Sequence, residues 1–410
     1  MDLLRREVPA SSLVVAIDPG KAFNRVWLTT GEQGLIGEPV SLPVLRDGIE
    51  ELQRLIVSSG VPGAPVIGLE ATGALHRAWA TEIEQRWPGS LRLFAPSETT
   101  AARAQLGSRR FKTDDRDCAA LVWLLRQGAG RPAEPDKLEA LLGTVRHRSQ
   151  LVDARRVLRQ RLHDQLNALC PGLSAPPGHG RAVKLESPTG QAVLACAAAF
   201  AGRAPSKRSL LARAPGRMTN ATAEFWCQRW KQLLAPPGDA ELRAERLAQD
   251  LRRFSQLRAD IALSDTQLAG LLAETDGQVL TSLPGVATVR AAEFSAYTLP
   301  IERWPTPEHL YSATGLSPAS YESSTITRRG RISRQGLAEH RNALMGIAWG
   351  LSQSSEAFRT RDAELRARGF RPIQARVALA RNACRLAWRL LQSQHPYDEE
   401  RYARTRRRGR

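Results

Sequence analysis

The run "LVVAIDPG", residues 13–20, decides the fold at the start of the chain. Its apolar, largely β-branched part, followed by Asp-Pro-Gly, predicts a short buried strand that ends in a turn. The segment "RVWLTT" at 25–30 predicts its hairpin partner. Further strands are predicted at 65–69, "PVIGL", and at 91–96, "LRLFAP", with amphipathic helices between them. Strands alternating with helices indicate an α/β domain over residues 1–135.

Beyond this domain the pattern changes to long helices. Apolar residues at helical spacing predict one helix over 136–170 and another over 240–275. In the second helix, four apolar residues recur at intervals of seven: Leu247, Phe254, Ile261 and Leu268. Such a seam is typical of an antiparallel or intersubunit coiled coil, although two amphipathic helices on an ordinary core would give the same pattern.

The rest of the chain completes the expected organisation. The Pro- and Gly-rich residues 171–216 predict an interruption of the long helices. We therefore expect a helical, coiled-coil region at 136–275, a mostly helical domain at 276–395 and a basic tail at 396–410.

Charge and composition bound the function. The chain has 59 Lys and Arg against 41 Asp and Glu, a net charge of +18, and this surplus predicts a polyanionic partner such as nucleic acid. No run approaches the roughly 18 apolar residues of a membrane span, and the N-terminus lacks an apolar signal core. We therefore expect a soluble, cytoplasmic protein of bacterial type, associated with the nucleoid. The five scattered cysteines predict small buried side chains rather than disulfides or a zinc site.

Carboxylates gather in an unexpected place for so basic a chain. In "RRFKTDDRDCAALVWLL", residues 109–125, Thr113 is a good N-cap and the apolar spacing predicts a helix directly after it. On that helix Asp114 and Asp117 share one face, whereas Asp115 points elsewhere. Two like charges on one face repel by a few tenths of a kcal/mol unless a cation lies between them, and a divalent metal ion is the simplest such partner.

Two more carboxylates follow predicted strands. Asp18 comes at the end of the first strand and Glu70 directly after "PVIGL", so both can converge at one edge of the sheet. With Asp114 and Asp117 they would form an oxygen-rich site suited to Mg²⁺ or Mn²⁺, ions that can promote phosphodiester chemistry. Taken singly, Asp114 could instead be a first-turn residue favoured by the helix dipole, and Asp18 a turn former.

The motifs resemble those of a known family. "AIDPG", "GLEATG" and "FKTDDRDCA" resemble, in order and context, the DEDD-type, RuvC-like (RNase H-like) domain of the insertion sequence 110 family of transposases. The later "YSATGLSPASYESS" and "GRISRQGLAEHRNAL" resemble the C-terminal transposase domain of that family. Only the central Pro- and Gly-rich segment and the basic tail lack a distinctive match.

The resemblance implies roles for particular residues. Metal binding by four carboxylates is implied: Asp18, Glu70, Asp114 and Asp117. The family has a catalytic serine just before a glycine. Here Ser323 is followed by Ser324, and counting back from "RIS" at 331–333 favours Ser323 as the nucleophile. Five basic residues are expected to contact nucleic acid: Lys112, Arg328, Arg329, Arg331 and Arg334.

The implied function is DNA transposition and recombination guided by a structured bridge RNA. The carboxylates and the serine, from different subunits of a homodimer or homotetramer, would form a composite site. This site would act on donor and target DNA through a covalent 5′-phosphoserine intermediate. Two alternatives stay open. One is a phosphotransferase of the actin-like ATPase and sugar kinase type, because Asp18-Pro-Gly-Lys21 resembles a phosphate loop. The other is a RuvC-like nucleic-acid-binding protein, either non-catalytic or a structure-selective nuclease.

Overall fold

A computed structural model of the protein describes most of the chain, which divides into two compact units, Met1–Pro135 and Asp136–Arg410. The described residues are 8–31, 34–107, 112–133, 136–175, 183–214, 216–323 and 326–402. For residue 136 and the described residues within 320–331, only the backbone is described.

The first unit contains a six-stranded mixed sheet in the order β3-β2-β1-β4-β5-β6. Its strands are β1 (Leu13–Asp18), β2 (Phe23–Thr30), β3 (Val40–Pro43), β4 (Val66–Glu70), β5 (Leu91–Phe94) and β6 (Arg131–Pro132). The central strands β1, β4 and β5 are parallel, whereas β2 and β3 on one side and β6 on the other are antiparallel to their neighbours. The N-terminal α/β expectation is thus confirmed; assignment to the RNase H-like class stays a prediction.

Helices cover both faces of this sheet. They are α1 (Arg46–Ser58), α2 (Arg77–Arg86), α3 (Pro96–Gln105) and α4 (Asp114–Arg126). Alternate residues of β1 belong to opposite cores: Leu13 and Ile17 to the core that contains α1 and α2, Val14 and Ala16 to the core that contains α4. A strand buried on both faces needs a continuous apolar sequence, which explains why "LVVAI" does not alternate with polar residues.

Two long helices, α5 (Asp136–Leu169) and α9 (Ala240–Ala273), form the backbone of the second unit. They are antiparallel, because Arg148 near the start of α5 pairs with Asp265 near the end of α9, and Arg161 further along α5 pairs with Asp250 near the start of α9. The four heptad residues of α9 are all buried within the chain. The seam therefore packs inside one subunit, and its burial leaves it no free face for a coiled coil with another.

The Pro- and Gly-rich residues 171–216 separate the two long helices, as predicted, but they also contain helices of their own. With the residues that follow, they contribute three helices: α6 (Pro188–Ala199), α7 (Lys207–Ala212) and α8 (Asn220–Lys231). Each begins at a hydroxyl N-cap, Ser187, Ser206 or Thr219, whose side chain accepts a backbone N–H. Proline at the first position of α6 is compatible with a helix start, so proline there marks a beginning rather than a break.

The remaining elements follow α9. They are a 3₁₀-helix (Asp276–Ser282), α10 (Thr288–Thr298), a second 3₁₀-helix (Ile301–Arg303), α11 (Pro307–Ala313), the hairpin strands β7 (Pro318–Ser323) and β8 (Ile326–Ile332), α12 (Ala338–Ser354), α13 (Glu356–Ala367) and α14 (Pro372–Ser393). The helices share one core with the start of α5 and the end of α9. This part is mostly helical, as the sequence predicts.

Two expectations about the whole chain can be compared with the structure. All five cysteines are free and buried, as predicted. Over the described ranges, no helix combines the length and the apolar character that a membrane crossing requires.

The buried seam of α9 predicts a large stability effect. Replacing Phe254, which is fully buried, with alanine should lower the free energy of unfolding of the second unit by about 3–5 kcal/mol, because a cavity remains. Leu263→Ala on the same helix removes a side chain that is 59% exposed and should change it by less than about 0.5 kcal/mol. Urea denaturation of both variants measures the difference, and equal midpoints would contradict the packing described for α9.

Candidate active site

Asp18 and Glu70 lie side by side at the ends of two parallel strands. Ile17 of β1 is level with Leu69 of β4, so the next residue on each strand is a carboxylate. Because side chains alternate between the faces of a sheet, Asp18 shares the face of Ala16, and Glu70 shares the face of Gly68. That face is the one covered by α4. The convergence expected for these two residues therefore follows from strand register.

Helix α4 packs closely on this face. A Cβ atom at Gly68 would lie 2.7 Å from the Leu125 side chain, so the missing side chain lets α4 approach β4. The buried Cys118 thiol lies 3.4 Å from the Arg25 carbonyl oxygen of β2, and burial raises the pKa of the thiol well above its ordinary value. Thr113 is the N-cap, as predicted, and accepts the Arg116 backbone N–H at 3.3 Å. These contacts bring the first turn of α4 to the carboxyl ends of β1 and β4.

The three aspartates of that turn have different surroundings. Asp117 is buried, Asp114 is exposed, and Asp115 is turned toward β2. The Asp115 carboxylate accepts the Arg25 Nε–H at 2.6 Å and the Trp27 Nε1–H at 3.0 Å, and the Arg25 contact is the main reason that its pKa is lowered. Asp115 thus ties the start of α4 to the sheet. Its separation from the other two aspartates agrees with the helical spacing.

Electrostatic coupling joins the four predicted carboxylates. The pKa of Asp18 is raised to about 7, first by burial and then by the negative charges of Asp117, Glu70 and Asp114, in that order. Lys112 acts in the opposite direction. A carboxyl group whose pKa is raised by three neighbouring carboxylates lies in a strongly negative field. The chemistry of this donor set is suited to a hard cation such as Mg²⁺.

Asp117 already has a cationic partner in the protein. The Arg103 guanidinium of α3 donates a hydrogen bond to Asp117 Oδ1, and both side chains are largely buried. Lys112 Nζ lies 4.0 Å from Asp117 Oδ2 while remaining mostly exposed. The sequence analysis missed Arg103, because the ion pair depends on how α3 packs against α4. Its only sequence signal is a basic residue in the last turn of the preceding helix.

The carboxylates do not surround a single point. Within the described parts of the chain, no three His, Cys, Asp or Glu side chains are arranged so that they could hold one metal ion together. Glu70 Oε1 instead accepts a hydrogen bond from Thr72 Oγ1, and Asp117 is paired with Arg103. The donor atoms are therefore of the right kind and close enough to interact, but the Glu70 and Asp117 carboxylates are hydrogen-bonded to protein groups.

Gly20, in the turn after β1, bears on the phosphate-loop alternative. Its backbone N–H donates to Asn24 Oδ1 at 3.1 Å, so this N–H is used within the turn. A Cβ atom at Gly20 would lie 2.2 Å from the Phe23 carbonyl oxygen, so any larger residue would clash there and the fold itself requires glycine. The Gly20 N–H is thus already engaged within the turn, unlike the open N–H groups with which a phosphate loop binds its ligand.

The predicted serine lies in the second unit. Ser323 is the last residue of β7 and pairs with Ile326 of β8; its side chain, and Ser324 as a whole, are outside the described residues. The backbones of three predicted arginines lie in β8: Arg328, Arg329 and Arg331. Arg334 follows β8 with a left-handed φ of 56°, its N–H donates to the Gly315 carbonyl oxygen at 2.9 Å, and its side chain is exposed. The basic segment therefore belongs to a hairpin, and Ser323 is the last residue of its first strand.

His340, the only histidine close behind this hairpin in sequence, is a packing residue. Its Nε2 lies 3.0 Å from Thr298 Oγ1, and its ring is surrounded by Phe294, Tyr297 and Trp304. Burial lowers the pKa of His340 to about 4. The imidazole of His340 is therefore buried and held by Thr298 and the surrounding aromatic rings.

Comparison with known proteins identifies one region. Residues 277–363 match the family model described as "Transposase IS116/IS110/IS902 family". The matched region runs from the first 3₁₀-helix to α13 and includes the β7–β8 hairpin. No curated protein matches the chain significantly.

The raised pKa of Asp18 predicts an unusual pH dependence. In the folded unit the Asp18 carboxyl keeps its proton up to about pH 7, whereas in the unfolded chain it loses the proton near pH 3.8. The contribution of Asp18 to the free energy of unfolding therefore falls as the pH rises from about 3.8 to about 7. The variant Asp18→Asn cannot ionise at this position, so it does not lose stability in this pH range. Because the carboxyl is partly exposed, the variant should be more stable by about 1–2 kcal/mol at pH 8, with little change near pH 4.

Urea denaturation in the presence of a chelator measures this effect, and Asp115→Asn is its matched control. Asp115 accepts two hydrogen bonds from β2, so its neutralisation should destabilise the unit at pH 8, by less than about 1 kcal/mol. A loss of stability in Asp18→Asn at pH 8 would show that the four carboxylates do not repel one another in the folded state.

Proposed function

We propose that the protein is a DNA recombinase that excises and inserts an insertion-sequence element, because residues 277–363 match the model of the IS116/IS110/IS902 transposase family. The family match is the observation that carries this proposal. The net charge of +18 supports it, because a DNA substrate is a polyanion and its neutralisation releases counterions.

The proposed metal site consists of four carboxylates. Asp18 and Glu70 at the strand ends, with Asp114 and Asp117 on α4, would bind Mg²⁺ or Mn²⁺. Support comes from the adjacent strand register and from the mutual electrostatic effect on Asp18. Binding requires that the Asp117 carboxylate exchange its contact with Arg103 for the cation. When bound, such an ion supplies positive charge at a phosphodiester and lowers the pKa of an oxygen nucleophile.

The remaining parts of the site position the metal ligands. Asp115, held by Arg25 and Trp27, fixes the first turn of α4 against β2. Cys118 lies against the backbone of β1 and β2 one position after Asp117. These contacts order the helix before any substrate arrives, so little conformational entropy is lost on binding.

Ser323 is the proposed nucleophile. Its Oγ would attack a DNA phosphorus, forming an O–P bond while the bond to the 3′ oxygen breaks, and the 3′-hydroxyl leaves with a proton. The product is a 5′-phosphoserine linkage, and attack by a 3′-hydroxyl of another strand reverses the step and completes exchange. Positive charge stabilises the pentavalent phosphate. Arginines of the adjacent β8 strand and Arg334 are the proposed source of that charge.

Guidance by a structured bridge RNA belongs to the same proposal. Sequence recognition would then lie in base pairing with donor and target DNA, and protein contacts would go mainly to phosphates. Lys112 and the hairpin arginines are the proposed phosphate contacts. The complete enzyme would be a homodimer or homotetramer in which the carboxylates and the serine come from different subunits.

A structure-selective nuclease is the second candidate. It is favoured by the position of the carboxylate cluster in a unit that is compact by itself. Such an enzyme would use the carboxylates without the serine, so the two functions differ in their dependence on the β7–β8 hairpin.

Replacing Asp117 or Asp114 with alanine should lower the rate of recombination by about a hundredfold or more, because the cation loses a ligand. Recombination of a donor and target plasmid pair measures activity, and thermal unfolding checks that the variant folds. Glu50→Ala, at an exposed carboxylate of α1, is the matched control and should retain full activity. Full activity in the Asp117 variant would remove the metal site from the proposal.

Ser323→Ala should prevent the covalent protein–DNA species, because the attacking oxygen is absent. Denaturing gels of labelled DNA show that species as a slow band, and Ser324→Ala should retain it. If Ser324→Ala instead prevents the covalent species and Ser323→Ala retains it, the nucleophile is Ser324. Cleavage that survives in both variants would favour the nuclease.

A further inference from the structure

An exposed tryptophan of the second unit is stacked with an arginine. Trp349 on α12 is 40% exposed, and the Arg376 guanidinium of α14 lies 4.3 Å from its ring centroid. A large aromatic side chain on a helix surface loses hydrophobic stabilisation unless something covers it. The arginine holds one side of the indole in place and leaves part of the ring accessible.

More exposed apolar groups lie just before and within the start of α14. Phe370, two residues before the helix, is 37% exposed, with the Arg368 guanidinium 5.7 Å from its ring centroid. Ile373 is 58% exposed and lies three residues before Arg376, on the same face of α14. We call these five residues the stacking patch: Trp349, Arg368, Phe370, Ile373 and Arg376.

The segment that carries four of the five residues of the stacking patch is basic. Residues 365–397 contain seven arginines and no acidic residue, and the first turn of α14 has no carboxylate to balance the helix dipole. Arg366 and Arg385 are paired with Asp362 and Glu308. Within the described chain, by contrast, the two arginines of the patch form no ion pair with a carboxylate; their guanidinium groups lie against aromatic rings.

We propose that the stacking patch binds single-stranded nucleic acid, with bases stacked on Trp349 and Phe370 and phosphates beside the arginines. The inference rests on the proposed function and adds to it a specific surface. Exposed aromatic rings alternating with unpaired arginines match a ligand that alternates flat bases with negative phosphates. A double helix hides its base faces, and an apolar protein surface would leave the arginines without counter-charges. Single strands therefore fit the patch best.

The test measures affinity of the full chain for labelled single-stranded RNA, single-stranded DNA and duplex DNA by fluorescence anisotropy over a range of salt. Trp349→Leu should weaken single-strand binding about tenfold at every salt concentration, whereas Trp349→Phe, which keeps an aromatic face, should bind nearly normally. Arg376→Gln should weaken binding at low salt and reduce the log–log salt slope by about 0.7, the value for one phosphate contact.

Arg252→Gln, at an exposed arginine of α9, is the control for loss of one charge and should leave the Trp349-dependent affinity intact. Equal losses on single-stranded RNA and DNA support recognition through bases and phosphates, and a loss on one alone identifies which strand the patch binds. Equal losses on duplex DNA would overturn the proposal, as would normal single-strand binding by Trp349→Leu and Arg376→Gln.

The result also separates this inference from the proposed function. If the unaltered protein binds single strands and the patch variants do so equally well, the patch is wrong and the recombinase proposal stands. If the unaltered protein binds no nucleic acid, both fail. A change of oligomeric state in Trp349→Leu, with unchanged nucleic-acid affinity, would assign the patch to a second copy of the chain and overturn its assignment here.

Discussion

Burial of β1 on both faces is the constraint on which the first unit depends. Alternate residues of "LVVAI" face two separate cores, so the strand must lie at the centre of the sheet with helices on either side. Once β1 pairs in parallel with β4, Asp18 and Glu70 necessarily end at the same level. The pairing thus brings together two carboxylates that are far apart in the chain, at the edge where the first turn of α4 arrives.

The charges at that edge are kept together at a cost in free energy. Burial and the charges of three other carboxylates raise the pKa of Asp18 to about 7. At Asp117, the nearby Arg103 and Lys112 offset part of the negative charge. Asp115 contributes in a different way, since its contacts with β2 hold the helix start in place. An arrangement that is electrostatically unfavourable but firmly supported is typical of functional sites, where ligand binding relieves the repulsion.

In the second unit, as far as the structure describes it, helices build the cores and support the β7–β8 hairpin. The antiparallel pair of α5 and α9 supplies two cores, one with α6 to α8 and the other with α10 to α14. Buried heptad residues hold the pair together, and ion pairs such as Arg161–Asp250 lie beside the seam. The region that matches the transposase family model lies in the second of these cores, and the stacking patch involves its helix α12 and the following helix α14.

The sequence alone determined the elements whose signals are local. Four features follow from residue type and spacing along a short stretch of chain: the strand that ends at Asp18, the N-cap at Thr113, the separation of Asp115 from its neighbours, and the long helices. It did not reveal helices α6 to α8, because their hydroxyl caps are hidden among prolines and glycines. Only the tertiary structure decided that Arg103 pairs with Asp117, that the α9 seam is buried within one chain, and that Arg376 stacks on Trp349. These contacts join residues on separate helices, and short-range patterns carry no information about which helices meet.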